Sequence, residues 1–301
     1  MSDAEPIVVL GAGAIGSLYA AKLSAMHPVT LVGRRDHVDA IRRDGLRLIG
    51  RETLTRRVDA VTEIESIAAR TIVLLTTKVN ASEAAVGAIA HLLRDDTVIV
   101  CVQNGLHSDA IARRAARGRG LVLRAITQFG AIHQSAGVIN FTVSGYTLIE
   151  DGPRSVGIAA MLTACGLDGR VSPDIKTEVW RKLIFNCVIN PITSIIGSDV
   201  GGIADPRLDP LKRLVIDECL AVARTEGVAF TLDFLATIAD VFGPSRNIAS
   251  MRQDLMRGRP TEIDHMNGAV ADLGRCAGID CPVNAALVAI IKAMERCTMA
   301  S

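Results

Sequence analysis

The sequence predicts a doubly wound α/β sheet followed by an all-α helical domain. Up to about residue 150, short and fully apolar runs of β-branched residues alternate with helical patterns. From Pro173 onward the pattern is helical and predicts no strand. Strands that are apolar throughout are typical of parallel sheets covered by helices on both faces. We therefore assign residues 1–170 to an α/β domain and residues 171–301 to an all-helical domain.

Apolar strands separated by helices make up the first predicted domain. Strands are predicted at 7–10, 29–32, 71–75 and 97–102, with helices such as 14–24 and 81–93 between them. The stretches "GLRLIG" through "RRVDAV" and "GVINFTVSGYTLIE" are predicted as added hairpin strands, the second at or near a sheet edge.

Helical periodicity defines the second predicted domain. Its helices are predicted at 173–197, 206–226, 231–242, 247–257, 260–277 and 282–297. Pro191 should kink the first of these helices, because proline lacks an amide hydrogen and clashes with the preceding turn.

The composition indicates a globular protein of the cytoplasm. Hydrophobic residues make up 49% of the 301 positions, and 33 basic residues balance 32 acidic ones, so no global field favours a nucleic-acid partner. The N-terminal apolar run is too short for a signal peptide, and no apolar stretch approaches the roughly 20 residues that span a membrane. The seven cysteines lack the spacing of a metal site, so we expect no metal and reduced thiols in the core.

A glycine-rich turn lies between the first predicted strand and the first predicted helix. The stretch "VVLGAGAIGS" contains Gly11, Gly13 and Gly16. Gly11 permits a tight turn, Gly13 lets the backbone approach a pyrophosphate, and Gly16 lets helix and strand pack closely. Such a turn alone also occurs for purely structural reasons. Here its position predicts a Rossmann-type dinucleotide site at a helix N-terminus, formed by Gly11, Ala12, Gly13, Ala14, Ile15 and Gly16.

The end of the second strand indicates which dinucleotide binds. A NAD site usually has an acidic residue here for the ribose 2′-hydroxyl, whereas this chain reads "VTLVGRRD", with Gly33, Arg34 and Arg35. A guanidinium can hold a 2′-phosphate by charge-assisted hydrogen bonds. The arginines are alternatively a solvated strand end, and Asp36 lies close by. The pattern favours NADP(H) over NAD(H), with Arg34 as a contact.

Two polar residues follow later strands of the predicted sheet. Lys78 lies just past one strand in "LLTTKVNAS", and Asn104 lies just past the next in "CVQNGLHSD". Open α/β sheets bind ligands beyond the carboxyl ends of their strands, so both residues are candidates for the cofactor site. Singly, Lys78 could be a surface lysine and Asn-Gly a turn. His107 and His133 are interpreted as loop histidines with no evident partner.

The stretch "WRKLIFNCVIN" places a polar stripe on an apolar helix. Lys182, Asn186 and Asn190 recur every four residues and therefore share one face. A buried polar group without a partner costs about 1–3 kcal/mol, so something polar should face this stripe. Either the protein's own groups or a ligand satisfies it.

Further polar residues occur in later helical segments. Asn247 and Ser250 lie in "SRNIASMRQDL", and Glu262 lies in "RPTEIDHMNG". Taken singly, Asn247 and Ser250 are compatible with ordinary surface positions. Glu262 is compatible with helix capping, because acidic residues are favoured near helix starts.

Taken together, these motifs resemble the ketopantoate reductase (2-dehydropantoate 2-reductase) family over essentially the whole chain. The matching elements are "GAGAIG", "TTK", "QNG", "EVWRKLIFNCVINPIT", "NIASMRQD" and "TEIDHMNG". The resemblance implies a Rossmann domain followed by an all-helical domain, with the active site between them. It also implies NADPH-dependent reduction of ketopantoate to (R)-pantoate, on the route to pantothenate and coenzyme A.

The resemblance also implies roles for individual residues. Lys182 would protonate the substrate carbonyl oxygen, and Glu262 would hydrogen-bond near the reacting centre and the nicotinamide ribose. Lys78 and Asn104 would contact cofactor and substrate from the first domain. The substrate carboxylate and hydroxyl ends would be held by Asn186, Asn190, Asn247 and Ser250. The chain departs from the family at Val200, where a polar substrate contact is common.

Two alternatives stay open at the level of sequence. One is a related NADPH-dependent reductase of another small 2-oxo acid, which would share the fold and the hydride chemistry. The other is a non-catalytic NADPH-binding sensor, which is disfavoured because Lys182 and Glu262 are both present. The apolar segment 282–297 could pack within the chain or form a homodimer.

Overall fold

The computed structural model describes residues 4–299, and by internal contacts the chain divides into two units. The first unit runs up to Gln103 and resumes from His107 to Ile175. The second unit comprises Asn104–Leu106 and the chain from Lys176 onward. The predicted fold class, a Rossmann-type α/β sheet followed by an all-α helical part, is confirmed.

The first unit contains all the strands of the described chain. They are β1 (Ile7–Leu10), β2 (Val29–Val32), β3 (Leu46–Gly50), β4 (Leu54–Arg56), β5 (Asp59–Val61), β6 (Ile72–Leu75), β7 (Val98–Cys101), β8 (Leu121–Thr127), β9 (Gly130–Ser135), β10 (Val138–Val143), β11 (Thr147–Glu150) and β12 (Gly169–Ser172). Its helices are α1 (Ala14–Leu23), α2 (Arg35–Asp44), α3 (Ser82–Ile89), α4 (Ser108–Ala115) and α5 (Ser155–Ala164), with a 3₁₀ turn at Val79–Ala81. The strands predicted at 7–10, 29–32, 71–75 and 97–102 are confirmed as β1, β2, β6 and β7.

The larger sheet has eight strands in the order β12-β11-β8-β7-β6-β1-β2-β5. Six neighbouring strands of this sheet, β5, β2, β1, β6, β7 and β8, run parallel to one another. In contrast, β11 is antiparallel to β8. Alternate side chains of a strand point to opposite faces. In β1, Ile7 and Val9 join one apolar core with α1, while Val8 and Leu10 join a second core with α3 and α4. The sheet is therefore covered on both faces.

The smaller sheet has the order β4-β3-β10-β9. The hairpin predicted from "GLRLIG" through "RRVDAV" is confirmed for β3 and β4, but β5 at its end pairs with β2 in the larger sheet. The hairpin predicted in "GVINFTVSGYTLIE" is wrong. There β10 pairs with β3 and β9, whereas β11 pairs with β8 and β12 in the larger sheet. Gly145 lies between them, and a Cβ atom built on it would lie 2.5 Å from the carbonyl oxygen of Gln128. Because Gly145 has no side chain, the backbone can pass this close to Gln128 where the chain leaves the smaller sheet and enters the larger one.

Three strands were not predicted, namely β8, β9 and β12. In β8 the apolar run is interrupted by Arg124, which is buried and donates to the hydroxyl of Ser108. The strand β12 pairs with β11, so the domain boundary expected after residue 170 lies inside a strand. By internal contacts, residues up to Ile175 belong to the first unit and residues from Lys176 onward to the second.

Helices form the second unit. They are α6 (Ile175–Ile195), α7 (Asp209–Thr225), α8 (Phe234–Thr237), α9 (Ser250–Met256), α10 (Asn267–Ala277) and α11 (Pro282–Met299). Short 3₁₀ turns occur at Val200–Ala204, Pro206–Leu208 and Ile263–His265, and a π turn at Ile238–Phe242. All six predicted helices are confirmed in position, although 260–277 is interrupted at Met266, whose backbone (φ −114°, ψ −98°) is not helical.

The helix α6 continues through Pro191. Proline has no amide hydrogen, so it cannot donate to the carbonyl of Cys187 one turn earlier. Asn267 Nδ2 donates to that carbonyl instead, at 3.0 Å. A side chain thus replaces the missing backbone donor, and the predicted kink stays a prediction.

The cysteines only partly follow the prediction of a core position. Five of the seven are buried, but Cys276 and Cys297 are exposed, so the prediction is wrong for these two. Among the described residues no cysteine forms a disulfide. No helix within residues 4–299 has both the length and the apolar character needed to cross a membrane.

Candidate functional site

Gly11 brings the end of β1 against the end of β6. Its φ of +119° lies in the region that favours glycine. A Cβ atom built on it would lie 2.5 Å from the amide nitrogen of Thr77. Thr76 Oγ1 also donates to the carbonyl of Gly11 at 2.7 Å. The turn after β1 is therefore fixed to the turn after β6.

Gly13 and Gly16 differ in the space around them. A Cβ atom on Gly16 would overlap the carbonyl oxygen of Gly11 and the hydroxyl of Thr76. On Gly13 the same atom would meet nothing within 4 Å, and Gly13 is exposed. Gly16 thus allows close packing, whereas Gly13 leaves the backbone open to an approaching group.

The start of α1 is suited to an anion. Gly13 is its N-cap, no side chain caps it, and its first turn contains no acidic residue. The first amides of a helix, here those of Ala14, Ile15 and Gly16, have no partner within the helix and carry a partial positive charge. Together with the open space at Gly13, these amides fit the pyrophosphate of a dinucleotide.

The end of β2 lies against the glycine-rich turn. A Cβ atom built on Gly33 would lie 2.5 Å from Cβ of Ala12. Arg34 follows at once as the exposed N-cap of α2. A cationic side chain therefore leaves the backbone next to the residues that would hold a pyrophosphate. This is a suitable position for contact with a 2′-phosphate.

A histidine pair, with His37 buried and His133 half-buried, lies beside this turn. His37 Nε2 is 3.1 Å from Ser17 Oγ, and the amide of Gly137 donates to His37 Nδ1 at 3.0 Å. His133 Nε2 lies 3.1 Å from the same Nδ1. Burial, and then the charge of His133, lower the pKa of His37 to about 4. The interpretation of His133 as a loop residue with no evident partner is wrong, because it lies in β9.

Gln103 holds the turn that carries Lys78. Its Nε2 lies 2.6 Å from the carbonyl oxygen of Thr77 and 2.6 Å from Ser82 Oγ. Lys78 lies between these two anchors and is exposed. Gln103 was not among the predicted site residues. Its one signal in the sequence is its place directly before Asn104, just past β7.

The polar stripe of α6 runs from partly to fully covered positions. Lys182 and Asn186 are half-buried, and Asn190 is buried. Asn190 Nδ2 contacts the sulfur of Met266 at 3.5 Å. The covered end of the stripe therefore lies next to the segment that follows Ile263–His265.

Glu262 is buried and directly precedes the turn Ile263–His265. Its side chain makes no capping hydrogen bond to that turn. The geometry therefore does not support the alternative that this carboxylate serves as a helix cap.

Asn104 belongs to the second unit by its contacts, although the sequence placed it in the first domain. The reason lies in the two residues that follow it. Gly105 has a φ of +84°, and a Cβ atom built on it would lie 3.0 Å from the carbonyl oxygen of His265. Leu106 packs on the apolar core of the helical unit. Half-buried Asn104 is thereby brought close to the segment that contains Glu262.

The segment with Asn247 and Ser250 pairs with the loop after α6. The amide of Val200 donates to the carbonyl of Asn247 at 2.7 Å, and that of Gly201 to the carbonyl of Ser245 at 2.8 Å. The side chain of Val200 is buried in the apolar core, so it packs and its backbone holds Asn247. Asn247 is half-buried, and Ser250 is exposed as the first residue of α9.

The predicted site residues are divided between the two units. The first unit contains the glycine-rich turn, Arg34 and Lys78; the second contains Asn104, Lys182, Asn186, Asn190, Asn247, Ser250 and Glu262. Within the second unit, Asn104, Asn190 and Glu262 converge on the neighbourhood of Ile263–Met266.

Known proteins similar to this chain cover nearly its whole length. Residues 7–154 match the family model "Ketopantoate reductase PanE/ApbA", and residues 174–295 match "Ketopantoate reductase PanE/ApbA C terminal". A curated 2-dehydropantoate 2-reductase of Pyrococcus horikoshii is 31% identical over 297 residues, which cover 96% of this chain and 97% of the relative.

Solved structures show the same architecture. The crystal structure of a PanE/ApbA family ketopantoate reductase from Ralstonia eutropha has a TM-score of 0.90 and 29% identity, covering 97% of this chain and 99% of that one. D-mandelate dehydrogenase with NADH and anilino(oxo)acetate has a TM-score of 0.88 at 23% identity, covering 97% and 99%, and shares the fold. With both family models matched and a relative above 30% identity along nearly the full length, the chain belongs to the ketopantoate reductase PanE/ApbA family.

Proposed function

We propose that the chain is an NADPH-dependent 2-dehydropantoate 2-reductase, which reduces the 2-oxo acid ketopantoate to (R)-pantoate. The observation that carries this proposal is the open, uncapped start of α1 beside Arg34, which joins a phosphate site to a cation. Family membership supports the substrate, because the relative from Pyrococcus horikoshii bears this enzyme name.

The first unit supplies the residues that would hold the cofactor. Backbone amides from Gly11 to Gly16 would bind the pyrophosphate, and Arg34 would bind the 2′-phosphate. Lys78 would reach the cofactor from the turn that Gln103 holds. In NAD sites an acidic residue at the end of the second strand binds the ribose 2′-hydroxyl, and this chain has Gly33 and Arg34 at that place. This supports a preference for NADP(H).

The second unit supplies the residues that would act on the oxo acid. Bound NADPH supplies a hydride to C2, and this leaves negative charge on the former carbonyl oxygen. Lys182 would stabilise that charge and then donate a proton to the oxygen. Glu262 would hydrogen-bond close to the reacting centre and help to keep Lys182 charged. The carboxylate and hydroxyl ends of the substrate would be held by Asn186, Asn190, Asn247 and Ser250, and Asn104 would contact cofactor and substrate.

The test is NADPH oxidation with ketopantoate, set beside a panel of other small 2-oxo acids. We expect rapid turnover of ketopantoate and poor turnover when NADH replaces NADPH. Turnover on a different 2-oxo acid would keep the chemistry and reject ketopantoate as the substrate. Tight NADPH binding with no turnover on any oxo acid would favour the sensor alternative.

A homodimer is part of the proposal. The helical unit exposes large apolar side chains, among them Leu214, Val241 and Ile290. Burial of these side chains against a second copy would remove apolar surface from water, which favours association. Sedimentation equilibrium would measure the mass in solution, and a monomer over the whole concentration range would reject the dimer.

A further inference from the structure

The segment around Glu262 is held from α11 on both sides. Thr261 precedes Glu262, and its amide nitrogen and Oγ1 both donate to Glu295 Oε1, at 2.8 and 2.6 Å. Two residues after Glu262, Asp264 forms an ion pair with Lys292. Lys292 and Glu295 are three residues apart on α11 and therefore neighbours on one face. A single helix face thus anchors both flanks of Glu262.

Glu295 is a costly residue to place here. It is 7% exposed, and Thr261, to which it is bonded, is 1% exposed. Lys292 Nζ lies 3.7 Å from Glu295 Oε2, so the carboxylate of Glu295 also has a positive charge nearby, at more than hydrogen-bond distance. A carboxylate removed from water is offset only by good hydrogen bonds and paired charge. What the charge provides is two strong, charge-assisted bonds to the residue next to Glu262.

We propose that Glu295 is a positioning residue for Glu262, with Lys292 as a second anchor. The inference rests on the proposed function, in which Glu262 acts at the reacting centre. Glu295 fixes Thr261, the residue before Glu262, and Lys292 fixes Asp264, two residues after it. With both flanks held, the carboxylate of Glu262 keeps one place while substrate binds and reacts.

The first test replaces the charge and keeps the shape. Glu295→Gln retains the volume and one acceptor but loses the charge-assisted bonds to Thr261. A misplacement of about 1 Å in a catalytic group lowers the rate roughly 100-fold, so we expect kcat for ketopantoate to fall about 10- to 100-fold. We expect KM and NADPH affinity to change much less. Arg296→Gln is the matched control, because Arg296 is the next residue of α11 and is exposed.

A double-mutant cycle separates positioning from a general effect on stability. If Glu295 acts through Glu262, then Glu295→Gln should lower kcat no further in a Glu262→Gln enzyme. Thr261→Val removes the hydroxyl donor and keeps the amide donor to Glu295, so it should lower kcat in the same way but less, and Thr261→Ser, which keeps the hydroxyl, should retain most of kcat. Multiplicative losses in the cycle, or an unchanged kcat in Glu295→Gln, would overturn the proposal.

A third readout needs no turnover. Amide deuterium exchange at residues 261–264 of the full chain should become at least about tenfold faster in Glu295→Gln, because the anchoring bonds restrict local opening. Arg296→Gln should leave it unchanged. Unchanged exchange in Glu295→Gln would overturn the proposal whatever the turnover. A wild-type chain that does not reduce ketopantoate would reject the proposed function, and exchange would then decide the anchoring by itself.

Discussion

Asn267 Nδ2 donates to the carbonyl of Cys187 at 3.0 Å, which is the carbonyl that Pro191 leaves without its usual backbone donor. Asn267 is fully buried and also donates to Asn284 Oδ1 at 2.9 Å. This places Asn267, part of the stretch "TEIDHMNG", in a structural role in the core of the helical unit. It supplies the donor that the proline lacks and links α6 to α11.

The first prediction is that Asn267→Ala destabilises the protein by about 2–3 kcal/mol, because a buried carbonyl loses its donor. The loss should be smaller by about 1 kcal/mol in a Pro191→Ala background, where residue 191 regains an amide hydrogen that can reach Cys187. Urea denaturation of the four proteins measures both effects. Equal losses in the two backgrounds would show that the proline does not create the need for Asn267.

Gly13 and Gly16 should respond differently to the same substitution. Gly13→Ala meets open space, so we expect unchanged thermal stability and an NADPH affinity weakened about tenfold or more, since the methyl group occupies the approach to the amides. Gly16→Ala overlaps backbone and should destabilise the fold itself. Fluorescence titration with NADPH and thermal unfolding distinguish the two. Normal NADPH affinity in Gly13→Ala would argue against a pyrophosphate at this turn.

Arg34→Ala should weaken NADPH far more than NADH. A hydrogen bond to a charged group contributes about 1.5–3 kcal/mol, which predicts a loss of about 10- to 100-fold for NADPH. NADH should change little, because it has no 2′-phosphate. Arg43→Ala, near the other end of α2 and paired with Asp44, is the control. An equal effect of Arg34→Ala on both coenzymes would reject its role in selecting NADPH.

Lys182→Ala should lower turnover by about 100-fold or more while NADPH affinity stays nearly the same, since proton donation contributes about 10²–10⁴-fold to such reactions. Asn186→Ala, one turn along the same face of α6, should mainly raise KM for the oxo acid. Steady-state kinetics with saturating NADPH separates kcat from KM. Normal turnover in Lys182→Ala would remove it from the mechanism.

His37 should make stability depend on pH. Its folded pKa is lowered to about 4, from about 6.5 in the unfolded chain, first by burial and then by the charge of His133. The unfolded chain therefore takes up this proton first as the pH falls. Stability from this residue is complete above pH about 6.5 and is lost progressively down to about 4, by about 3 kcal/mol.

His37→Asn places an amide oxygen where Nδ1 accepts from Gly137 and cannot be protonated in this range. Its stability should fall less steeply between pH 6.5 and 4 than that of the wild type. His91→Asn, at an exposed position, should keep the wild-type slope. Identical slopes for His37→Asn and the wild type would contradict the assignment.

Local pattern was sufficient to predict the parts of the fold that depend on nearby residues. The strands β1, β2, β6 and β7 are continuous apolar runs, and the glycine-rich turn lies where strand and helix meet. The strand β8 was missed because Arg124 interrupts its apolar run, and its burial depends on Ser108. The predicted pairing of β10 was wrong because one of its partners, β3, lies far back in the sequence, and a pattern of neighbouring residues does not reveal such a distant partner.

The residues of the candidate site also divide into those that local pattern predicted and those that depend on distant contacts. Lys182, Asn186 and Asn190 were visible because helical spacing alone puts them on one face. Gln103 and Glu295 were not, since a glutamine after a strand and a glutamate on a helix are ordinary at those positions. Their roles come from contacts with Thr77 and Thr261, which only the folded chain brings within reach.

The excursion at Asn104–Leu106 has a consequence for how the protein can be taken apart. Because Leu106 packs on the core of the helical unit, a single cut after Ile175 would yield two pieces that each contain part of one hydrophobic core. The residues of the helical unit are therefore not continuous in the sequence. We expect a fragment that begins at Lys176, made separately, to lack the packing of Leu106 that the intact chain provides.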